Sequence, residues 1–261
     1  MQHPKKQIID DTSLGIFAKL NRASTIIPIR RNNEALEVLL VKRHEKIKFA
    51  GGAYVFPGGK HDLNDCELLP QNPNLDDIAK MAAIRETFEE TGYLLARDKN
   101  QTLIGDNFNQ HPERKKIIET PIYFNNFMKD NDFKPALDLL TPIAIWVPPE
   151  YAQKRYLTWF YLAEIAQNAE IIPDKKEITD FLWQKPATAL QNIETGVINA
   201  LFPTMANLSL LSNFSSFEEI KKFLDCKNMP LIQTKTIDKG INLWVETDVK
   251  DFYPYSTKQF H

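Results

Sequence analysis

The sequence predicts an α/β fold, because segments of strand character alternate with a segment of helical periodicity. Residues 36–43 and 155–164 are rich in the branched and aromatic side chains that favour strands. Residues 75–91 carry Ala79, Ala82 and Ala83 at helical spacing, and Gly92 follows them where glycine commonly ends a helix. We therefore expect a sheet with at least one helix packed on it.

The other segments fit the same fold class. Residues 23–30 and 36–43 flank a turn-forming stretch at 31–34 and are expected to pair as a hairpin. Residues 1–22 are polar and mixed, and we expect them to form an N-terminal extension. Residues 104–140 predict an insertion of two short helices hinged at Pro121. The elements expected further on are, in order, strands at 140–147, 155–164 and 178–183, a helix from Pro186, helical residues at 196–230 and one strand at 235–246.

Composition excludes several classes of protein. The 261 residues hold 32 Lys plus Arg against 34 Asp plus Glu, and this absence of basic excess argues against broad nucleic-acid binding. The two cysteines, Cys66 and Cys226, form no Cys-x-x-Cys pair, so zinc ribbons and disulfide scaffolds are not indicated. No apolar signal segment opens the chain, and no run approaches the roughly 18 apolar residues of a membrane span. We expect a soluble, cytoplasmic protein without a membrane partner.

Three carboxylates dominate the helical segment. Glu86, Glu89 and Glu90 stand at positions i, i+3 and i+4, and on a helix these positions share one face. Like charges at this spacing repel each other, and Arg85, four residues before Glu89, offsets only part of the repulsion. A divalent cation would neutralise the remainder, and all-oxygen ligands favour Mg²⁺ or Mn²⁺ over zinc. The alternative is a solvated helix face, which is the commoner meaning of a run of charges.

A glycine turn precedes this helix. A strand-like stretch runs into Pro57-Gly58-Gly59. Glycines at such a turn allow the backbone to approach a phosphate or a metal closely.

These two features together resemble a known motif. Residues 85–93 read Arg-Glu-Thr-Phe-Glu-Glu-Thr-Gly-Tyr, which is similar to the second half of the Nudix box, Arg-Glu-U-x-Glu-Glu-x-Gly-U with U apolar. Thr87 departs from the pattern at a U position, and Gly59 fits the first position of the box. Eight residues before the Arg, where the family has Glu, this chain has Asp77, which lies eighteen residues after Gly59 instead of six. We therefore expect the box to be split by twelve extra residues within an insertion at 60–76.

The resemblance implies a fold and a domain layout. It implies a Nudix α/β/α sandwich with a mixed β-sheet over residues 23–195, which would include the helical insertion at 104–140. Residues 196–261 are then expected to form a mostly helical region packed on that domain.

The resemblance also implies roles for particular residues. It implies that Glu86, Glu89, Glu90 and the Gly58 carbonyl hold the Mg²⁺ or Mn²⁺, while Arg85 orients the carboxylates. Many Nudix enzymes place a further carboxylate in the loop before the last sheet strand, and this chain has Glu177 there. Glu86 and Glu177 both stay open as the general base. A solvated loop acid is the alternative for Glu177.

Substrate-binding residues are expected near the box. Arg43 directly follows an apolar strand and can grip a substrate phosphate through two N–H groups, with Gly58 and Gly59 close to it; a basic surface position is the alternative. Aromatic candidates for stacking on the organic part of the substrate are Phe49, above all, and Tyr54, Trp146 and Trp159. A place in the core is the commoner role for each aromatic residue.

Several further features resemble one Nudix subgroup, the peroxisomal coenzyme A diphosphatase with a split box and its bacterial relatives. They include Trp146 with Pro148-Pro149, residues 155–162 and Phe202-Pro203-Thr204. The resemblance implies hydrolysis of coenzyme A or an acyl-CoA to 3′,5′-ADP and a phosphopantetheine. ADP-ribose, NADH and dinucleoside polyphosphates stay open as substrates, as does a Nudix-fold binding module without catalysis. A small-molecule nucleotide is the implied partner, and a homodimer is left open.

Overall fold

The computed structural model describes residues 10–33, 35–150, 152, 154–238, 243–247, 252, 253 and 257–260. Its strands are β1 (Asn21–Asn32), β2 (Ala35–Arg43), β3 (Tyr54–Val55), β4 (Gly58–Lys60), β5 (Leu94–Arg97), β6 (Leu103–Gly105), β7 (Lys134–Pro135), β8 (Thr141–Val147), β9 (Tyr156–Glu164), β10 (Ile178–Gln184), β11 (Leu231–Asp238), β12 (Leu243–Thr247) and β13 (Thr257–Phe260). Its helices are α1 (Asp11–Leu14), α2 (Leu75–Thr91), α3 (Pro112–Glu119), α4 (Ile122–Asp130), α5 (Pro186–Glu194), α6 (Phe202–Leu211) and α7 (Phe217–Asp225). Short 3₁₀ turns lie at Gly15–Lys19, Leu63–Cys66 and Leu137–Leu139.

A mixed sheet forms the centre of the molecule. Within the described residues its order is β10-β2-β1-β9-β8-β11-β12-β13, and β3 and β4 pair with β2 and β1. The predicted hairpin of β1 and β2 is confirmed, since Ile29 lies opposite Val38 in an antiparallel pair. On its other side β1 runs parallel to β9, with Ala23 beside Thr158. The sheet is therefore mixed, as expected.

Helices cover both faces of the sheet. Adjacent strand residues point to opposite faces, so Ile26 and Ile27 of β1 enter two different cores. Ile26 packs in a cluster that contains Ile84 and Phe88 of α2, whereas Ile27 packs in a cluster that contains Met205 of α6. The expected three-layer α/β/α arrangement is confirmed.

Helix α2 has the predicted bounds, because both ends carry strong capping residues. The Asn74 side chain accepts a hydrogen bond from the Asp77 N–H at the N-terminus. Gly92 follows the last turn in the left-handed conformation (φ 77°), which glycine adopts without steric cost.

The insertion at 104–140 contains the two predicted helices, α3 and α4, on either side of Pro121. It also contains strand residues that were not predicted. Strands β6 and β7 flank β5 in a small three-stranded sheet. With two or three residues each, β6 and β7 are too short to show the alternation that marks a strand in sequence.

The mostly helical interpretation of 196–261 is correct through α7 and wrong beyond it. The single strand predicted at 235–246 is two strands, β11 and β12, which pair antiparallel. The sequence places Gly240 between them, a turn signal that the strand prediction passed over. Strand β11 runs parallel to β8, with Ile232 beside Trp146, so this region extends the sheet as well as covering it.

The N-terminal extension predicted at 1–22 is described from residue 10 onward, and residues 1–9 lie outside the described residues. Strand β1 begins at Asn21, close to the predicted domain boundary. No helix in the described part of the chain combines the length and the apolar character that crossing a bilayer requires.

Candidate active site

The glycine turn and helix α2 meet in tight contact. The Gly58 N–H donates a hydrogen bond to Glu90 Oε2 at 2.8 Å. A Cβ at Gly59 would lie 2.5 Å from Glu86 Cδ, and a Cβ at Gly58 would lie 2.6 Å from Thr25 Cα of β1. No other residue type fits at these two positions without moving the carboxylates or the strand. The glycines therefore bring the backbone onto the carboxylate face of α2.

Arg85 lies at the centre of the carboxylates, with only 3% of its surface exposed. Its Nη1 donates to Glu86 Oε1 and Glu89 Oε1, each at 3.0 Å. Its Nε donates to Asp65 Oδ1 at 2.7 Å, and its Nη2 donates to the Lys60 carbonyl at 2.8 Å. Burial alone would lower the pKa of Arg85, but Glu86, Asp65 and Glu89 outweigh burial and raise it. These contacts fix one oxygen each of Glu86, Glu89 and Asp65, and the orienting role of Arg85 in catalysis stays a prediction.

The three glutamates are crowded, and they are buried at Glu90 and mostly buried at Glu86 and Glu89, whose side chains are 17% and 13% exposed. Burial raises the pKa of Glu86, although Arg85 opposes the shift. Burial and the charge of Glu86 raise the pKa of Glu89 to about 8. Burial and Glu86 also raise the pKa of Glu90, which is 4% exposed, well above its usual range. The solvated-face alternative is therefore wrong for this helix.

Asp65, not Asp77, is the acid that pairs with Arg85. Asp65 lies in the 3₁₀ turn after β4 and is fixed there by the Asp62 N–H at 2.7 Å. It stands six residues after Gly59, the spacing that the Nudix box requires. Asp77 instead caps the N-terminus of α2 with Asn74. The count backward from Arg85 reached the wrong acid because the extra residues lie after Asp65, and the count forward from Gly59 would have found it.

Glu177 lies beside the cluster at the start of β10. Its side chain is exposed, and its negative charge contributes to the raised pKa of Glu86. Its backbone is held on both sides, since its carbonyl accepts the His44 N–H at 2.7 Å and its N–H donates to Asp174 Oδ1 at 2.7 Å. The backbone of Glu177 is therefore fixed while its carboxylate is exposed to solvent, and its role as general base stays a prediction.

Arg43 and Phe49 lie at the same end of β2. The charge of Arg43 lowers the pKa of Glu90, although burial dominates that pKa, and the buried Arg43 Nε has no hydrogen-bond partner among the described residues. Phe49 is 51% exposed in the following loop, so the core alternative is wrong for it. Trp146 and Trp159 are buried, and for them the core alternative is correct.

The donor set fits a hard divalent cation. Glu86, Glu89 and Glu90 place three carboxylates on one face of α2, beside the turn at Gly58, and their oxygens suit Mg²⁺ or Mn²⁺. In the described residues, no three His, Cys, Asp or Glu side chains converge closely enough to hold a metal as they stand. As they stand, Arg85 donates to one oxygen of Glu86 and one of Glu89, and the Gly58 N–H donates to one oxygen of Glu90.

Known proteins are similar to this chain in sequence and in fold. A family model described as the NUDT19 Nudix domain matches residues 70–211, more than half of the chain. The acyl-coenzyme A diphosphatase NUDT19 of Xenopus laevis is 28% identical, with 76% of this chain and 65% of that protein covered. The human protein of the same name is 23% identical, with 81% and 70% covered. The chain thus spans about two thirds of the length of these relatives. The crystal structure of a Nudix hydrolase from Alicyclobacillus acidocaldarius is similar at a TM-score of 0.70 and 26% identity, over 78% of this chain and 96% of that one.

Proposed function

Because the chain belongs to the NUDT19 Nudix domain family, we propose that it is a Mg²⁺- or Mn²⁺-dependent hydrolase of coenzyme A or an acyl-coenzyme A. The products would be 3′,5′-ADP and phosphopantetheine or its acyl derivative. Membership of the family supports the diphosphate chemistry, and the names of the relatives from Xenopus laevis and Homo sapiens support this substrate.

One observation carries the proposal. The three glutamates of α2 and Asp65 outnumber the two arginines beside them, Arg85 and Arg43, in a largely buried site, and burial raises the pKa of each of the three glutamates. A structural ion-pair network gains nothing from this excess of buried negative charge. A site that binds divalent cations gains from the excess negative charge, because that charge attracts the metal and raises its affinity.

The residues divide the reaction among them. Glu86, Glu89, Glu90 and the Gly58 carbonyl would hold the metal, which supplies Lewis-acid stabilisation of the diphosphate and a more acidic water. Either Glu86 or Glu177 accepts a proton from the water while the oxygen of that water attacks one phosphorus of the diphosphate. The bond from that phosphorus to the bridging oxygen breaks, and the bridging oxygen leaves with the second phosphate.

Arg43 and Phe49 are proposed to bind the substrate. The guanidinium of Arg43 has an unpaired N–H near Glu90, and a phosphate oxygen is a suitable acceptor for it. Phe49 presents half of its surface to solvent in the neighbouring loop, where it can stack on the adenine or contact the pantetheine. Gly58 and Gly59 hold their backbone against Glu90 and Glu86, and this backbone is proposed to contact the diphosphate.

Product analysis tests the function directly. With Mg²⁺ or Mn²⁺ present, the purified protein is expected to release 3′,5′-ADP from coenzyme A well above its turnover of ADP-ribose, NADH or diadenosine polyphosphates. Mass spectrometry of the products is the measurement, and the Glu89→Gln, Glu90→Gln double variant is the control for contaminating hydrolases. Preferential cleavage of ADP-ribose or NADH would overturn the substrate and keep the chemistry. No cleavage of any of them with either metal would favour a binding module.

Divalent metal is expected to stabilise the protein more at about pH 8.5 than at about pH 6. The pKa of Glu89 is about 8, against 4.5 as its ordinary value, so the metal-free fold is favoured below about pH 4.5 and loses that stability as the pH rises through about 8. Metal binding requires the charged carboxylate, and at the lower pH the metal must first displace a proton. The shift in Tm on adding Mg²⁺ at both pH values measures this, and equal shifts would contradict a metal-binding role for Glu89.

Two expectations from the sequence stay predictions. A cytoplasmic location is tested by cell fractionation, and a homodimer is tested by light scattering of the purified protein. Neither outcome changes the chemistry proposed for the site.

A further inference from the structure

Arg114, in the first turn of α3, is a buried arginine that hydrogen bonds to backbone carbonyls from three segments. It is 6% exposed. Its Nε donates to the Phe88 carbonyl at 3.1 Å, and its Nη2 donates to the Glu89 carbonyl at 2.9 Å and to the Ile172 carbonyl at 2.6 Å. Its Nη1 donates to the Asn109 carbonyl at 3.0 Å. Among the ion pairs of the described residues, none includes Arg114.

Two of these carbonyls lie in the last turn of α2, the turn that carries Glu89 and Glu90. The final four carbonyls of a helix have no partner within the helix, and a cation there also interacts favourably with the helix dipole. The Phe88 carbonyl already accepts the Gly92 N–H, so Arg114 adds a second donor there and supplies a donor to the Glu89 carbonyl. These bonds hold the end of α2 against the helical insertion. The direction of the Glu89 and Glu90 side chains depends on this turn keeping its shape.

The Ile172 carbonyl belongs to the segment that leads to Glu177. The Ile172 N–H donates to the Thr91 carbonyl at 2.8 Å, so this segment is attached to the end of α2 at the same point. From there to Glu177 the chain is stiffened by Asp174, whose Oδ1 accepts the N–H groups of Glu177 and Ile178. A shift of Ile172 would therefore be transmitted to Glu177.

We infer that Arg114 is a positioning residue that sets the distance between the glutamates of α2 and Glu177 through the carbonyls of Phe88, Glu89 and Ile172. The catalytic meaning of this inference rests on the proposed function. Arg114 touches neither the carboxylates nor the expected place of the substrate, and it acts through the backbone. The inference also gives the insertion at 104–140 a part in the site, which the sequence left open.

The planar fork of arginine is essential to this role. Its N–H groups point in fixed directions, and three separate backbone segments accept from them: the end of α2, Asn109 and Ile172. Lysine has one ammonium group on a flexible stem and cannot reach all three in the same geometry. Arg114→Lys therefore keeps the positive charge at the end of α2 but loses the hydrogen bonds that join the backbone segments. The variant thus distinguishes an effect of the charge from an effect of the positioning.

The experiment compares Arg114→Lys and Arg114→Met with Arg97→Met. Arg97 lies on β5 next to the insertion and pairs with the exposed Asp138, so its variant controls for loss of an arginine in this region. We expect both Arg114 variants to lower kcat by about 10- to 100-fold and to weaken Mn²⁺ affinity by about 10-fold, with KM within about threefold of wild type. A third variant, Arg114→Ala, leaves room for free guanidinium, which is expected to restore part of its kcat and none of the kcat of Glu90→Gln. The measurements are steady-state kinetics and Mn²⁺ titration by electron paramagnetic resonance.

The outcomes distinguish positioning from stability. A lower Tm with wild-type kcat and Mn²⁺ affinity in Arg114→Lys would overturn the inference and leave Arg114 a structural residue. If Arg114→Met does not fold, Arg114→Lys alone decides. If the wild-type protein cleaves no diphosphate, the proposed function fails, and the Mn²⁺ affinities of wild type and Arg114→Lys still test the inference, with equal values overturning it.

Discussion

Glu90→Gln is expected to lower kcat by roughly a thousandfold, about 4 kcal/mol of barrier, while the protein stays folded. Glu90 is buried and contributes a charge that its surroundings disfavour, as its raised pKa indicates. The amide oxygen of glutamine can still accept the Gly58 N–H, so the tight turn keeps its contact. Glutamine cannot supply the charge that a divalent cation needs, so the loss is catalytic. The measurement is kcat with saturating Mg²⁺ or Mn²⁺, next to the Tm of the metal-free protein.

The control for this variant is Glu67→Gln, which removes a surface carboxylate that pairs with Lys129. It is expected to leave kcat unchanged. The Tm of metal-free Glu90→Gln is expected to equal or exceed that of wild type, because a buried charge has been removed. Full activity with both Glu89 and Glu90 replaced would remove the basis for a metal site on this helix.

Local signals predicted most of the fold. The hairpin of β1 and β2, the bounds of α2 and the two helices around Pro121 depend on patterns a few residues long, such as side-chain alternation, the Asn74 cap and the glycine stop. The structure departs from prediction where the signal is too short or too distant. Strands β6 and β7 have too few residues to show a period, and the place of β11 beside β8 depends on packing between segments far apart in sequence.

The candidate site follows the same rule. The glutamates and Arg85 were predictable because they lie within two turns of one helix, and Gly58 and Gly59 because they form a recognisable turn. Asp65 was missed because an insertion separates it from Arg85, so that the count forward from Gly59 and the count backward from Arg85 reach different acids. Arg114 carries no sequence signal at all, since its partners are backbone carbonyls that any residue type would provide.

Arg85→Met is expected to destabilise the protein by about 3–5 kcal/mol near neutral pH, because it leaves buried carboxylates without their cation. Methionine fills a similar volume but donates no hydrogen bond. Without Arg85, the pKa values of Glu86 and Glu89 lose the influence that lowers them and rise further. The loss should therefore shrink as the pH falls and the carboxylates become protonated. Urea unfolding at about pH 7.5 and about pH 5.5 measures it, and Arg97→Met, at a more exposed pair, is expected to cost less than about 1 kcal/mol.

A double-mutant cycle separates the contribution of Asp65 from that of the glutamates. In Arg85→Met, Asp65 keeps the Asp62 N–H but loses both of its bonds to the guanidinium. Adding Asp65→Asn removes this stranded charge, so the double variant should be more stable than the sum of the two single losses predicts. Additive losses would mean that the instability of Arg85→Met comes from Glu86 and Glu89 alone. In that case Mg²⁺, by neutralising these two, should restore most of the lost stability, whereas a stranded Asp65 would be left uncompensated by the metal.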